Sequence, residues 1–385
     1  MTLSRRSFLD NAWRSAAGLA ALQLVPSLAH AQATLDKSRL IIRSARPEDL
    51  ETPVHLLTDW ITPNELFYVR SHFYTPRIDE ASWSLKIDGE VTSPLSLTLA
   101  QLKAMPSRTV VATLECAGNG RGLFNPPVAG IQWERGAVGT ARWKGVPFAA
   151  VLKQAGITPK AKHLWLDGGD VGVGKAPDFV RNLPLDKALL PDTILCYEMN
   201  GEPLPVSHGF PLRAIVPGWE GAYSVKWLSS IHASDVEQPG AFVQAGYRYP
   251  KRPVVPGGTV AAADTEPLRG MPVKSIITAP QTDMTTKPGP VRIGGFAWAG
   301  NDQVRRVDVS VDGGRSWLPA RLGTDVAPFA WRQFEYVWHT ASPGSHVVMS
   351  RATDSLGRSQ PIVPAWNPAG YLWNAIDQVR INVSA

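Results

Sequence analysis

The sequence predicts an α+β domain followed by an all-β, immunoglobulin-like sandwich, with a short leader in front of both. Short apolar runs mix with helix-like segments up to about residue 265. A stretch rich in proline and glycine runs from Tyr249 to Pro272, and beyond it the hydrophobic pattern changes to a period of two. The 385 residues, 44% of them hydrophobic, suffice for a large core and favour two domains. We therefore expect a leader over residues 1–31, an α+β domain over 32–265 and a sandwich over 266–385.

The first thirty residues have the pattern of an export leader. Ser4-Arg5-Arg6-Ser7-Phe8-Leu9 is a twin-arginine pattern, an alanine-rich apolar stretch follows from Ala16 to Leu28, and Ala29-His30-Ala31 fits a cleavage site. A membrane anchor is the alternative, but polar residues and a proline interrupt the apolar stretch. We predict a periplasmic mature chain that starts near Gln32 and has no membrane span. Proteins exported by this route are already folded, commonly around a cofactor loaded in the cytoplasm, so the leader points to a bound cofactor.

Charge and cysteine content exclude several classes of protein. Lysine and arginine number 39 against 33 aspartate and glutamate residues, and the net charge of +6 is spread along the chain. That distribution argues against nucleic acid and favours a small anion or an acidic protein as partner. Removing residues 1–31, which carry three arginines and one aspartate, leaves +4. Two cysteines and no CxxCH motif exclude a disulfide framework, a four-cysteine zinc site, a cysteine-bound iron–sulfur cluster and attached c-type haem.

Short elements predict the α+β domain. The strand candidates are Val110–Leu114, Thr193–Tyr197 and Arg213–Val216. The helix candidates are Phe148–Gln154, ended by Ala155-Gly156, and Leu185–Leu190, ahead of Pro191.

Alternation and turn residues predict the sandwich. Val307, Val309 and Val311 alternate with polar residues, and Gly313-Gly314 then turns the chain. Further strand candidates are Val291–Phe296, Phe334–Trp338 and His346–Ala352. Their spacing is typical of a sandwich, without the cysteine and tryptophan pattern of antibody domains.

One of the two cysteines lies where a metal ligand would be well placed. Cys116 follows a predicted strand and precedes the glycine-containing loop Ala117-Gly118-Asn119-Gly120, whose small residues let a bulky group approach the backbone. A buried, inert cysteine is the commoner role for the residue type. Cys196, inside an apolar strand candidate, fits that inert role, and a Cys116–Cys196 disulfide is a further alternative that the sequence leaves open.

Around Cys116 and elsewhere, the sequence resembles the sulfite oxidases, within the wider superfamily of molybdopterin oxidoreductases. The resemblance spans nearly the whole predicted mature chain, and many ordered matches carry it. They are residues 62–72 (TPNELFYVRSH), 115–119 (ECAGN), 139–146 (GTARWKGV), 197–201 (YEMNG), 208–213 (HGFPLR), 216–218 (VPG), 225–227 (VKW) and 295–300 (GFAWAG).

The resemblance implies a mononuclear molybdenum cofactor, Mo-molybdopterin, whose metal is held by the thiolate of Cys116. A soft sulfur suits a metal that cycles between oxidation states, and coordination keeps the thiol deprotonated. The implied reaction is oxidation of sulfite to sulfate, with the two electrons returned singly to a haem.

The resemblance also implies arginines for a small oxyanion, because a guanidinium presents a planar and permanently charged fork. Arg70 matches the substrate-contacting arginine, and Arg121 matches a second arginine five places after Cys116. Two departures reduce the implied charge. Gly120 stands where many relatives have arginine, and Pro368-Ala369 stands where a third arginine would follow Trp366-Asn367.

The remaining implied site residues are a tyrosine and a set of cofactor contacts. Tyr247 matches the tyrosine beside the metal-bound oxygen better than Tyr249, because a basic residue and then a proline-rich stretch follow it. The cofactor ends in a phosphate, which needs cationic and hydroxyl donors. The matching positions are His72, His208, Arg213, Ser224 and Lys226, with Asp170 as a less secure match because the loop after it differs in length.

These expectations lead to one main function and two alternatives. The main hypothesis is a periplasmic sulfite dehydrogenase that passes electrons to a separate cytochrome c and dimerises through the sandwich. A sulfane dehydrogenase subunit of a thiosulfate-oxidising complex is the near alternative, and the sequence leaves open whether free sulfite or a carrier-bound sulfur is the substrate. The alternative of another class is a non-catalytic exported binding or scaffold protein.

Overall fold

The computed structural model describes residues 35–340 and 342–385, so the predicted leader over residues 1–31 lies outside the described residues. Within the described part, most of the regular structure is β-strand, and the helices are fewer and shorter than an α+β description suggests. None of those helices is both long and apolar enough to cross a membrane.

The part before the sandwich is built mainly from short strands. They are β1 (Ile41–Ser44), β2 (Asp49–Glu51), β3 (Val69–Arg70), β4 (Leu85–Gly89), β5 (Leu95–Leu97), β6 (Arg108–Glu115), β7 (Val138–Pro147), β8 (His163–Gly168), β9 (Arg181–Pro184), β10 (Ile194–Met199), β11 (Glu202–Pro203), β12 (Arg213–Ile215), β13 (Leu228–Ser234), β14 (Arg248–Pro250) and β15 (Thr265–Pro267). The helices are α1 (Leu99–Ala104), α2 (Phe148–Ala155), α3 (Leu185–Ala188) and α4 (Ala241–Gln244).

Two five-stranded sheets organise this part. One has the order β11-β10-β7-β6, with β12 also paired to β10, and the other has the order β5-β4-β13-β8-β9. Their buried faces meet in a core that includes Phe148 and Leu152 from α2 and Leu164 and Ile231 from the second sheet. The β6–β7 pairing runs without interruption to Glu115, so Cys116 is the first residue to leave the sheet.

The local signals explain the helices. Thr98 and Gln101 form a capping box at the start of α1, in which each side chain accepts a hydrogen bond from the other residue's backbone N–H. Gly156 ends α2 in the left-handed region at φ 68°, which confirms the predicted stop. The strand predictions at Val110–Leu114 and Arg213–Val216 are confirmed by β6 and β12.

The C-terminal third is a two-sheet sandwich, as the alternation predicts. Its strands are β16 (Lys274–Ala279), β17 (Met284–Thr286), β18 (Gly289–Trp298), β19 (Val304–Ser310), β20 (Leu318–Pro319), β21 (Arg321–Leu322), β22 (Arg332–Thr340), β23 (Gly344–Asp354) and β24 (Asp377–Val383). The sheets have the orders β16-β18-β22-β21 and β17-β24-β23-β19-β20. Gly313 and Gly314 both have positive φ in the turn between β19 and β20. Asp308 is buried although the alternation predicts exposure, because Arg306 and Arg351 pair with its carboxylate.

The proline-rich crossing between the two parts contains a small hairpin, since β14 pairs with β15. The parts share a buried cluster in which the indoles of Trp60 and Trp331 each donate to the other's carbonyl oxygen, at 2.9 and 2.7 Å. The predicted division at residue 265 stays a prediction.

A buried ion pair fixes the sandwich to the strand end that carries Cys116. Lys274, at the start of β16, is fully buried, and its Nζ lies 2.8 Å from Glu115 Oε1. The same ammonium donates to the carbonyl oxygen of Asn119 at 3.1 Å, and Trp298 Nε1 donates to Glu115 Oε2 at 2.8 Å. Because each charge is paired and hydrogen-bonded, the burial is tolerated.

We predict that Lys274→Met lowers the free energy of unfolding by about 3–5 kcal/mol, because it leaves the Glu115 carboxylate buried without its cation. The measurement is urea unfolding of the full chain. Arg292→Met, which breaks an exposed pair with Glu335, is the matched control and is expected to cost no more than about 1 kcal/mol. Equal losses in the two variants would contradict the prediction.

Candidate active site

A cavity of about 680 Å³, the solvent at its mouth included, lies beside the end of β6. Strand β3, the segment after β6 and the segment 207–227 contribute most of the wall. Nine of the ten predicted site residues line it, namely Arg70, His72, Cys116, Asp170, His208, Arg213, Ser224, Lys226 and Tyr247.

Cys116 presents its thiol to this cavity from a backbone held on both sides. Its N–H donates to the carbonyl oxygen of Ala137 at 2.9 Å, and its carbonyl oxygen accepts from Asn119 N at 2.8 Å. Burial raises the pKa of the Cys116 thiol, and Arg70 and Arg121 oppose that rise. The thiol therefore keeps its proton unless a metal displaces it.

The two cysteines have different environments, as the sequence predicts. Both Cys116 and Cys196 are free thiols, so the alternative of a disulfide between them is wrong. Cys196 is fully buried in the core, where its Sγ donates to the carbonyl oxygen of Glu198 at 3.1 Å. Burial raises the pKa of Cys196 to about 12, which is typical of an inert structural cysteine.

Arg70 enters the cavity wall from the edge of a small sheet. It lies opposite Asp49 in the β2–β3 pairing, and its Nη1 is 3.1 Å from Asp49 Oδ1. The Ser71 N–H donates to the same carboxylate oxygen at 3.2 Å. Burial raises the pKa of Asp49, and Arg70 opposes that rise. The sequence reasoning missed Asp49, which holds the guanidinium in place.

Of the two tyrosines that the sequence offers, Tyr247 lines the cavity and Tyr249 does not; Tyr68 lines it as well. The Tyr247 backbone is in the left-handed region at φ 53°, directly before β14. The Tyr247 hydroxyl lies 2.7 Å from Nε2 of His72, and the Arg181 guanidinium lies 4.5 Å from the ring centroid. Burial raises the pKa of Tyr247 well above its usual value and lowers the pKa of His72 well below its own. Both groups are therefore neutral near pH 7.

One end of the cavity gathers buried cationic groups that lack a full set of anionic partners. Arg213 donates to the carbonyl oxygens of His208 and Ser224, both at 2.9 Å, and its Nε has no hydrogen-bond partner within the described chain. Lys226 Nζ donates to Ser71 Oγ at 2.9 Å and to Ser207 O at 3.0 Å.

Burial disfavours the charged forms of Lys226 and Arg213. It lowers the pKa of Lys226 to about 7 and that of Arg213 to about 10. Burial also raises the pKa of Asp170, with Lys226 opposing the rise. An anion would favour the charged form of Lys226 and would offset the cost of burying the Arg213 guanidinium, so this end of the cavity suits a phosphate.

Arg121 is the one predicted site residue that does not line the cavity. Its Nε donates to Ala369 O at 3.1 Å, its Nη1 donates to Ile131 O at 3.2 Å, and its guanidinium lies 5.3 Å from the ring centroid of Tyr371. The C-terminal segment thus holds the guanidinium to the side of Cys116. Its predicted part in substrate binding stays a prediction.

Gly120 packs closely against Trp373 of the C-terminal segment. It has φ 97°, and a Cβ there would lie 2.6 Å from Trp373 Cβ. An arginine at this position would need a different backbone conformation and a displaced tryptophan.

Glu220 lines the cavity, and the sequence reasoning missed it. It is fully buried, its Oε2 accepts from Ala222 N at 2.9 Å, and its Oε1 has no hydrogen-bond partner among the described residues. The nearest cation is Arg181, whose Nη2 lies 3.8 Å from Oε1. Burial raises the pKa of Glu220 to about 7, and Arg181 opposes the rise. A lone acid in the apolar stretch 214–225 is the signal that could have identified it.

The fold and the site together define a class of protein. Residues 72–242 match the model of the oxidoreductase molybdopterin binding domain, and residues 266–384 match that of the Mo-co oxidoreductase dimerisation domain. The chain is thus a molybdopterin oxidoreductase with a two-part architecture.

Comparison with known proteins identifies the family within this class. The chain is 38% identical over 352 residues to sulfite oxidase of Gallus gallus, covering 87% of this chain and 76% of that protein. It is 33% identical over 367 residues to sulfite oxidase of Arabidopsis thaliana, covering 86% of this chain and 91% of that protein. The solved structure of the sulfane dehydrogenase SoxCD from Paracoccus pantotrophus superposes with a TM-score of 0.77 at 30% identity, covering 89% of this chain and 88% of that one. The chain belongs to the sulfite oxidase family.

The cavity fits the cofactor that this family implies. The Cys116 thiol is the available soft metal ligand in the wall, and the small residues Ala117 and Gly221 line the cavity with it. The unpartnered Nε of Arg213 and the ammonium of Lys226 offer donors for an anionic terminus. A molybdopterin would therefore be held by its metal at Cys116 and by its phosphate at the cationic end.

We predict that Glu220 makes the free energy of unfolding fall as pH rises from about 5 to about 7, against the opposite contribution of His72 and His208, whose pKa values burial lowers. The pKa of Glu220 is raised from 4.5 to about 7 in the folded chain, so at this group the folded state binds more protons than the unfolded state in this window. Glu220→Gln removes that contribution, so its free energy of unfolding should fall less, or rise more, over this range than that of the wild type, as measured by urea unfolding at a series of pH values. Glu80→Gln, at an exposed position, is the control. An unchanged slope in Glu220→Gln would contradict the prediction.

Proposed function

We propose that this chain is a molybdenum-dependent sulfite dehydrogenase that oxidises sulfite to sulfate. The observation that carries the proposal is the convergence of the Cys116 thiol, the Arg70 guanidinium and the Tyr247 hydroxyl in one cavity whose far end is cationic. The chain's membership of the sulfite oxidase family supports the same reaction.

Different side chains of the cavity would bind the metal, bind the substrate and transfer protons. When bound, the oxo-molybdenum cofactor supplies the transferred oxygen and accepts two electrons. Cys116 holds the metal, and Arg70, oriented by Asp49, binds the sulfite oxyanion through charge-assisted hydrogen bonds. Tyr247 and His72, 2.7 Å apart and both neutral, can hold or pass a proton beside the reacting group. Overall, sulfite and water yield sulfate, two protons and two electrons.

The proposal extends to the electron acceptor, the assembly and the compartment. We propose a separate cytochrome c as the acceptor, to which electrons pass one at a time, because the net charge of +6 favours an acidic protein partner. The match of residues 266–384 to a dimerisation domain supports a homodimer through the sandwich. The twin-arginine pattern supports export to the periplasm.

A sulfane dehydrogenase subunit is the second candidate, and the reduced charge of the substrate side favours it. Gly120 and Pro368-Ala369 replace implied arginines, Arg121 does not line the cavity, and Glu220 adds a carboxyl group to the cavity wall. The likeness to SoxCD supports it further. Steady-state assays with one cytochrome c separate the two. Faster turnover of sulfite than of thiosulfate supports the main proposal, and the reverse supports the second candidate.

We predict that Cys116→Ser abolishes both molybdenum retention and sulfite-dependent cytochrome c reduction, because a serine oxygen is a poor replacement for a thiolate. Cys196→Ser, in the core, is the matched control and should keep nearly all of both. Metal analysis and the cytochrome assay measure the two properties. Equal losses would contradict the division of roles, and wild-type protein without molybdenum, matured with its export machinery, would favour a non-catalytic exported binding protein.

We predict that Arg70→Gln raises the KM for sulfite by about tenfold or more, since a hydrogen bond to a charged group contributes about 1.5–3 kcal/mol. The KM of Arg70→Lys, which keeps the positive charge but not the planar fork of the guanidinium, should lie between those of the wild type and Arg70→Gln. Arg292→Gln, on the exposed face of the sandwich, is the control. A KM that is the same in all variants would remove Arg70 from the substrate pocket.

A further inference from the structure

Lys37 lies behind the wall of the cavity, five residues after the predicted start of the mature chain. It does not line the cavity, yet its ammonium touches a residue that does. Its Nζ lies 2.6 Å from Asn64 O, 2.8 Å from Phe67 O and 2.9 Å from Nε2 of His208. An ammonium group has three N–H donors, and this one has three acceptors around it.

These contacts determine how the His208 ring is protonated. Burial lowers the pKa of Lys37 to about 7, with Glu48 and Glu65 opposing the fall, and the two carbonyl contacts favour the charged form. An ammonium can only donate, so below about pH 7 Nε2 of His208 accepts and carries no proton. Burial lowers the pKa of His208 well below its usual value, and Lys37 lowers it further, so the ring is neutral. A neutral imidazole with an unprotonated Nε2 carries its proton on Nδ1.

The alternative tautomer is less well supported. Nε2 also lies 3.3 Å from Asn64 O, and a proton on Nε2 could be donated there. That oxygen already accepts from Lys37 at 2.6 Å, so the ammonium occupies the stronger site. Within the described chain Nδ1 has no hydrogen-bond partner, while the ring itself forms part of the cavity wall.

We propose that Lys37 is a positioning residue, whose ammonium holds His208 in the Nδ1–H tautomer so that the ring presents an N–H donor to the anionic cofactor. The inference rests on the proposed binding of molybdopterin beside His208. It means that the first part of the described chain, from residue 35 to residue 40, completes the cofactor pocket, although none of these residues lines the cavity. It also adds a positive charge behind the cationic end formed by Arg213 and Lys226.

The test reads the tautomer directly. In holoprotein labelled with ¹⁵N-histidine, two-bond ¹⁵N–¹H correlation spectra show which ring nitrogen of His208 is protonated. The His208 signals are assigned by their loss from the spectrum of His208→Gln. We expect Nδ1–H in the wild type. In Lys37→Met, Asn64 O loses its donor and the proton should move to Nε2. Wild-type His208 with its proton on Nε2 would overturn the proposal.

A second readout is the molybdenum and pterin content of the purified protein. We expect Lys37→Met to lower both by about tenfold, as changes in a supporting residue behind a ligand commonly do. Lys37→Arg should retain them, because a guanidinium also only donates, and Lys153→Met, at an exposed position of α2, is the matched control. Unchanged content in Lys37→Met would overturn the proposal.

A double variant separates positioning from a general structural effect. If Lys37 acts through His208, Lys37→Met should cause no further loss of cofactor in a His208→Gln background, and an additive loss would count against the proposal. Wild-type protein that lacks molybdenum would instead refute the proposed function, and the tautomer measurement would still decide the role of Lys37.

Discussion

The arrangement of the molecule depends on the buried ion pair between Glu115 and Lys274. Glu115 ends strand β6 one residue before the Cys116 thiol, and it is buried between Lys274 and Trp298 of the sandwich. The same lysine also holds the carbonyl oxygen of Asn119, on the other side of the thiol. The sandwich is therefore part of the frame that positions Cys116, in addition to any part it has in dimerisation. A buried pair tolerates little displacement, because separating its charges in a low-dielectric interior is costly.

A second constraint is the excess of buried positive charge at the far end of the cavity. Lys226 and Arg213 have lowered pKa values because burial disfavours their charged forms, and the protein supplies few carboxylates to compensate. Such a site stores the cost of burying cations, and an anionic ligand offsets that cost. The neutral pair of Tyr247 and His72 lies on the same cavity wall. One cavity thus offers charge for binding, neutral groups for proton movement and a sulfur for a metal.

The substrate side shows how one part of the chain compensates for another. Gly120 makes room for Trp373, and Arg121 is held by the carbonyl oxygen of Ala369. The C-terminal segment therefore occupies space and hydrogen-bonding capacity near the site. Glu220 adds a buried carboxyl group with a pKa of about 7, so the electrostatics of the cavity vary within the physiological pH range.

The sequence by itself determined local elements and the strand pattern of the C-terminal sandwich, and its resemblance to a known family predicted nine of the residues that line the cavity. Helix α2 ends where Gly156 predicts, and strand β19 leads to the turn at Gly313-Gly314, because these depend on backbone preferences of neighbouring residues. Ordered motif matches selected the site residues without any knowledge of distance.

Only the tertiary structure decided which partners complete the site. Lys37 and His208 are 171 positions apart, and Glu115 and Lys274 are 159 apart, so no local pattern links them. It also decided that Arg121 is held outside the cavity wall and that Asp49 and Glu220 belong to the site's electrostatics. The physical reason is that burial, hydrogen-bond partners and charge pairing are set by what the folded chain brings together, and these fix the direction of a side chain and its protonation state.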